Sequence, residues 1–389
     1  MAQNDTYIAF RKSIFALNHN ASSPVRRSFL QRNAIQLKGE SIRRLVLNAA
    51  IRLIPFAVRL GQTFKMNTLT TALQVSVFGH EPQMTTVSLN APVGAQVLIK
   101  VRACSLNFSD LLMTKGTYQE TPEPPFTLGM ELAGDIVALG PDAPAALKVG
   151  MRVAAYTGHG GLADHALVPS ARCIPLPPTL SYDAAAALQI AYGTSHLALT
   201  HKARLQAGER LVVTGAAGGV GLTAVELGKA MGAEVIAIAR GAAKLDIAKH
   251  AGADYAFDAQ DPELRDKIKA LGGADVVYDA VGGDLFEACF RATNPDGRIL
   301  LIGFASGDLP TLKPNHMLVK NISVIGFYWG AYFQTAPDVV ANSLSQLFDW
   351  AAQGKITPHI SHRLPLANAV QGLGLLKNRT ATGKVIITP

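Results

Sequence analysis

One stretch constrains the fold more than any other. The strand-like Arg210–Thr214 runs directly into Gly215-Ala-Ala-Gly218-Gly-Val-Gly221, and a helical pattern from Leu222 to Met231 follows at once. A strand, a glycine turn and a helix start in register make the opening unit of a parallel sheet that binds a dinucleotide at its first turn. The spacing 216/218/221 is that of G-x-G-x-x-G with Ala216 in the first position. Gly218 lets the backbone approach a pyrophosphate, and Gly221 lets helix and strand pack closely. The free amides at the helix start face the anion, and Gly215, Ala216, Ala217, Gly219 and Val220 join the two glycines as the expected cofactor-binding residues.

The pattern continues as βαβ units. Strands are expected at Glu234 to Ala239, Asp275 to Ala280, Arg298 to Phe304 and Ser323 to Phe327, with helices beginning near Val220, Ala242, Pro262 and Leu285. The fold class is therefore α/β: a Rossmann-type doubly wound parallel sheet over residues 191–330. Residues 66–190 read differently, with short apolar runs such as Val97 to Val101 and Leu132 to Leu139 broken by Gly and Pro, as in a β-rich domain. Residues 331–389 hold an amphipathic helix, Pro337 to Ala352, and an extended Lys384 to Thr388, too little for a third domain; they are expected to complete the first.

The second strand decides which dinucleotide is expected. An NAD enzyme places Asp or Glu at its end, on the ribose 2′-hydroxyl. Here Arg240 and Lys244 stand there, a planar fork and a point charge suited to a 2′-phosphate, so NADPH is favoured.

The formal charge of +8 suggests nucleic acid only until it is divided by position. Residues 1–65 hold 11 of the 36 Lys and Arg and only Asp5 and Glu40 among the acids, which leaves the remainder at −1. No electrostatic reason remains to expect a nucleic-acid partner for the body. The leader is Arg-rich and amphipathic from Arg43 to Leu60, which fits an organelle-targeting or membrane-surface segment; Arg52, Pro55 and Arg59 interrupt any spanning run. A start of translation at Met66 is the other reading, and both stay open. Cys104, Cys173 and Cys289 are scattered, in neither a disulfide framework nor a zinc knuckle, and a reducing, cytoplasmic setting fits.

The body resembles the zeta-crystallin-like quinone oxidoreductases, the zinc-independent branch of the medium-chain dehydrogenase/reductases. The resemblance spans about Leu73 to Pro389. It rests on Leu106-Asn-Phe-Ser-Asp110, Lys115-Gly-Thr-Tyr118, Gly129-Met-Glu131, Gly215 to Gly221, Asp279-Ala-Val-Gly-Gly283, Gly303-Phe-Ala-Ser-Gly307, Phe327-Tyr-Trp-Gly330 and Asn378 to Lys384. It implies a GroES-like β domain, a homodimer, and a nicotinamide site in the cleft between the domains. Asn107 and Tyr118 would then border nicotinamide and substrate, Thr194, Val281, Gly303 and Phe304 would touch the cofactor, and Arg379 would reach a phosphate.

Zinc-dependent relatives carry cysteine near Asn107 and histidine where Met130 stands, and an amide with a thioether makes no zinc site. Hydride transfer without a metal needs an acceptor that spreads charge onto oxygen, such as a quinone or enone. Tyr118 is the candidate proton donor, or else only a wall of the pocket. Asn107 holds the nicotinamide ribose or substrate carbonyl, or else stabilises a turn. Asp110 and Glu131 are read as structural. His159, His165, His196, His201 and His316 show no metal spacing, and Phe327 to Trp329 flank the nicotinamide or belong to core or interface. Two other functions stay open: reduction of a 2-enal or 2-enoyl thioester double bond, and an NADPH-binding scaffold or sensor with little turnover.

Overall fold

The computed structural model describes residues 67–389. The basic leader lies outside them, and with it the targeting and start-site readings. Met66–Pro389 forms one compact unit.

The first part is β-rich: β1 (Thr68–Val75), β2 (Gln83–Leu89), β3 (Gln96–Leu106), β4 (Phe126–Thr127), β5 (Glu131–Leu139), β6 (Arg152–Tyr156), β7 (His165–Pro169) and β8 (Cys173–Pro175). Six parallel strands follow: β9 (Arg210–Thr214), β10 (Glu234–Ala239), β11 (Tyr255–Asp258), β12 (Ala274–Asp279), β13 (Thr293–Leu301) and β14 (Ser323–Gly326). The chain then returns through β15 (Ile360–Pro365) and β16 (Lys384–Thr388) to the first part, where the sheet order is β15-β16-β3-β5-β6-β8 with β7 also on β3. β16 runs antiparallel to β3, with Val385 opposite Leu106 and Ile387 opposite Cys104.

The parallel sheet has order β11-β10-β9-β12-β13-β14, and side-chain alternation along its strands divides its contacts between two cores. Leu211, Val213, Val235, Ala237, Val276 and Tyr278 point to one, shared with Ala224, Val225 and Leu227 of the helix Gly219–Ala230. Val212, Ile236, Ile238, Val277 and Ile299 point to the other, against Phe286 and Phe290 of the helix Gly283–Ala292. Each large apolar side chain so enclosed contributes roughly 1.5–3 kcal/mol.

The strands expected at Arg210–Thr214 and Glu234–Ala239 form with those bounds. β11 is the strand the sequence pattern did not announce. Tyr-Ala-Phe-Asp is short, partly exposed and at the sheet edge, so it lacks the apolar run that betrays a central strand.

Candidate active site

The strand order reverses between β9 and β12, so the loops leaving their carboxyl ends part and open a crevice. A buried latch fixes the two strand ends. Thr214 Oγ1 donates to Asp279 Oδ1 at 2.6 Å and accepts the Ala280 N–H at 3.0 Å. The same carboxylate accepts the N–H groups of Val281 and Gly282, which turns the Val281 loop back over the crevice. Burial pushes the Asp279 pKa up, and these hydrogen bonds pull it back.

The glycine loop is built on contacts too close for side chains. Gly215 takes φ +63°, and its carbonyl accepts the Gly218 N–H at 2.8 Å. A methyl group on Gly221 would lie 2.1 Å from the Gly215 oxygen, so only glycine fits there. Ala216 is tolerated because the left-handed residue of the turn is Gly215; Ala216 is fully buried and donates its N–H to Ile238 O at 3.0 Å, tying the loop to β10. Gly218 caps the helix Gly219–Ala230, whose first amides, those of Gly219, Val220 and Gly221, have no partner within the helix.

At the end of β10, Arg240 is exposed. The nearby acid belongs to β11: Asp258 accepts the Gly241 N–H at 2.8 Å, and the Gln260 and Gly241 amides, with Arg240 adding, hold its carboxyl below the usual range. Lys244 Nζ donates to Arg379 O at 2.8 Å, and Arg379, at φ +57°, donates to Ala305 O at 2.5 Å. That bond anchors the tail to the loop Gly303–Gly307, where Phe304 is 40% exposed and stands over Gly282. A little further on, the Gly383 N–H meets Ala217 O at 3.1 Å.

Lys384 then enters the core of the first part. Its ammonium, 3% exposed, donates to Asn107 Oδ1 at 2.7 Å, Glu131 Oε1 at 3.0 Å and Leu106 O at 3.2 Å. The Asn107 amide nitrogen donates to the same Glu131 oxygen at 2.8 Å and to Ser105 O, and Glu131 Oε2 accepts the Ile190 N–H. Both ends of the Asn107 amide are thus engaged by the protein. Asp110 accepts the Asn107 and Gly129 N–H groups, and burial pushes its pKa up to about 6. Sequence reasoning found Asn107 and Glu131 but missed Lys384, although a lysine heading the apolar run Val385 to Ile387 was its signal.

Tyr118 is half-buried, its ring edge-on to Tyr328 at 6.3 Å. Burial, then the Tyr328 hydroxyl, raise its pKa well beyond that of an ordinary phenol. Trp329, next along the chain, packs against Gly193 so closely that a methyl there would lie 2.8 Å from the indole; Thr194, mostly buried, is the next residue. Tyr156 stacks on Phe333 at 4.6 Å and meets Trp329 edge-on, with the Arg172 guanidinium over the Tyr156 ring. The structure therefore links the predicted residues along two routes: Ala217, Lys244, the Gly303–Gly307 loop and Asn107 through the tail, and Tyr118 to the Thr194 helix through Tyr328 and Trp329. Two of the histidines sit in packing: His196 bonds Ser343, and His316 lies against Phe290.

Residues 94–178 match the alcohol dehydrogenase GroES-like domain, and residues 219–346 match the zinc-binding dehydrogenase family. A quinone oxidoreductase-like protein 2 homolog of Nematostella vectensis is 38% identical over 299 residues, 75% of this chain and 81% of that protein. The chain belongs to the quinone oxidoreductases of the medium-chain dehydrogenase/reductase superfamily. Quinone oxidoreductase-like protein 2 of Bos taurus is 35% identical over 297 residues, 75% of this chain and 85% of that one. Among solved structures, the quinone oxidoreductase of Thermus thermophilus, described also in complex with NADPH, has a TM-score of 0.70 at 30% identity, covering 82% of this chain and 100% of that chain.

One of the matched families is described as zinc-binding, and the residues of this oxidoreductase do not fit that ion. Met130 offers a thioether that accepts a hydrogen bond from Ser109, Asn107 offers an amide oxygen bonded to an ammonium, and both Glu131 oxygens are taken. Among the described residues, no group of three or more His, Cys, Asp or Glu could hold a metal.

Proposed function

We propose that this oxidoreductase reduces small conjugated carbonyls of the quinone type with NADPH, by hydride transfer and without a metal. One observation carries the reading: the tail Arg379–Lys384 ties the glycine loop at Ala217, Lys244 beyond the end of β10, the Gly303–Gly307 loop and Asn107 into one site. The amides of Gly219, Val220 and Gly221 hold the diphosphate, and Arg240 and Lys244 hold the 2′-phosphate. Thr194, Val281, Gly303, Phe304 and Arg379 border the rest of the cofactor.

Bound NADPH supplies the hydride. Tyr118, a phenol and so protonated at neutral pH, donates a hydrogen bond to the acceptor oxygen as charge builds there and gives up its proton only as that oxygen becomes the stronger base, since burial makes this phenol a weaker acid than an ordinary one. The aromatic wall of Tyr118, Tyr328, Trp329, Tyr156 and Phe333 keeps water from the reacting atoms. Asn107, with both ends engaged, shapes the cleft under the direction of Lys384 and Glu131.

Two copies pair through β14, the edge of the parallel sheet opposite β11, beside Leu309, Leu318 and Val319, which are 73–78% exposed. No helix among the described residues is long and apolar enough to cross a membrane. Three free cysteines suit a reducing, cytoplasmic compartment.

The test is NADPH oxidation with chelator present, against a simple quinone, a 2-alkenal and a 2-enoyl thioester, with NADH as control. Fastest turnover with NADPH and the quinone is expected. Preference for the thioester would shift the substrate class, and binding without turnover would make the chain a scaffold or sensor.

A further inference from the structure

A cavity of about 710 Å³ opens along the flank of the helix Gly219–Ala230, between it, the helix Ala242–His250 and the returning segment 354–363. None of Thr194, Arg240, Lys244, Val281, Gly303 or Phe304 lines it. Its volume is that of a small-molecule site.

The lining has two characters. Leu222, Ile247, Pro358 and Ile360 give an apolar wall, while Lys355 and Arg363 bring cations with unspent donors. Arg363 uses its Nε on Asp183 at 2.7 Å and keeps the rest of its fork, and the Lys355 ammonium rests 3.9 Å from the centre of the Trp350 ring, a contact that uses no N–H. Glu226 is the one acid among the lining residues, and its two oxygens are occupied by the Tyr192 hydroxyl at 2.5 Å and the Thr357 N–H at 2.6 Å.

The cavity also touches the cofactor loop. Gly219 and Gly383 line it, and the Gly383 N–H holds Ala217 O. At φ +59°, Gly383 lies so close to His359 that a methyl group would be 2.3 Å from the His359 carbonyl oxygen. His359 of the cavity wall thus sits directly against Gly383, which in turn holds Ala217 of the glycine loop.

We propose that this cavity binds a small amphipathic carboxylate, its aliphatic chain on the Leu222–Ile247–Ile360 wall and its carboxylate on Lys355 and Arg363, and that its occupancy changes the affinity for the cofactor. The proposal needs only that the glycine loop binds a dinucleotide; it is independent of which carbonyl is reduced. Coupling of this kind is reciprocal: whatever factor the carboxylate imposes on NADPH, NADPH imposes on the carboxylate.

The test titrates octanoate, octanol and inorganic phosphate into the full chain by calorimetry, with and without saturating NADPH. Octanoate is expected to bind the NADPH-saturated protein at one site, about tenfold more tightly than octanol, since a charged partner adds to the same apolar contact. Lys355→Met with Arg363→Met should weaken octanoate about tenfold and leave octanol and NADPH binding unchanged, which also shows that the variant is folded. Saturating octanoate should move the NADPH Kd by about threefold or more. Absence of octanoate binding, its loss on NADPH saturation, phosphate binding as tightly, or equal affinity in the variant would each overturn the site. An NADPH Kd that does not move would overturn the coupling.

Discussion

Replacing Lys384 with methionine keeps the length of the side chain and removes a charge that is 3% exposed. Glu131, fully buried, then loses its only cation within salt-bridge distance among the described residues, and Asn107 loses the donor on its oxygen. Breaking a buried ion pair from one side costs about 3–5 kcal/mol, because the remaining charge is left in a medium that solvates it poorly. With an unfolding entropy of about 2.1 cal/mol/K per residue, a unit of this size shifts by about 1.5 °C for each kcal/mol, so Lys384→Met should melt about 4–7 °C below the parent. The partner variant decides the cause. Glu131→Gln in the same chain removes the stranded charge while keeping an oxygen for the Ile190 N–H, so the double variant should recover at least half of the loss. The assay is thermal melting by far-UV circular dichroism of the parent, both singles and the double. A loss under about 1 kcal/mol in Lys384→Met, or a double variant no better than it, would refute the argument that charge compensation holds this cluster.

Tyr118→Phe should lower kcat by roughly tenfold to a hundredfold with NADPH affinity unchanged, read by steady-state quinone reduction beside cofactor titration; unchanged kcat would assign the proton to water. Arg240→Ala should narrow the preference for NADPH over NADH by about tenfold, the weight of one charge-assisted hydrogen bond, measured as the ratio of the two kcat/KM values. Asp110 has its folded pKa raised to about 6, from an ordinary 3.8, so its share of stability is present at low pH and is lost as pH rises through 6. The stability of the parent relative to Asp110→Asn should therefore fall between about pH 4 and pH 6, by denaturant unfolding at each pH; a flat difference would show Asp110 ionising as it does in the unfolded chain.

The parallel sheet was legible because its strands declare themselves. β9 and β10 are apolar runs bounded by glycine, and the turn between β9 and its helix carries a spacing that few other structures need. β11 was not legible, since an edge strand half in solvent needs no apolar face. At the site, local motifs marked the glycine turn itself, through Gly218 and Gly221. Motifs could not reveal partners brought together from distant parts of the chain: Lys384 and Asn107 are 277 residues apart, and nothing in the neighbourhood of either names the other. The same holds for Trp329 against Gly193, where a glycine in mid-helix was the trace of a ring belonging to a later segment.

The pairing of β16 with β3 also sets a clock. Ribosomes deliver β3 first and β16 only after the whole nucleotide-binding sheet has emerged, so 253 residues separate Glu131 from the ammonium that neutralises it. During that interval Glu131 has no Lys384 to pair with, and β3 has no β16 beside it. The parallel sheet, whose strands all lie between residues 210 and 326, can close on its own beforehand. The part made first can therefore be completed only last, and the segment that completes it also pins Gly383 to Ala217 of the glycine loop.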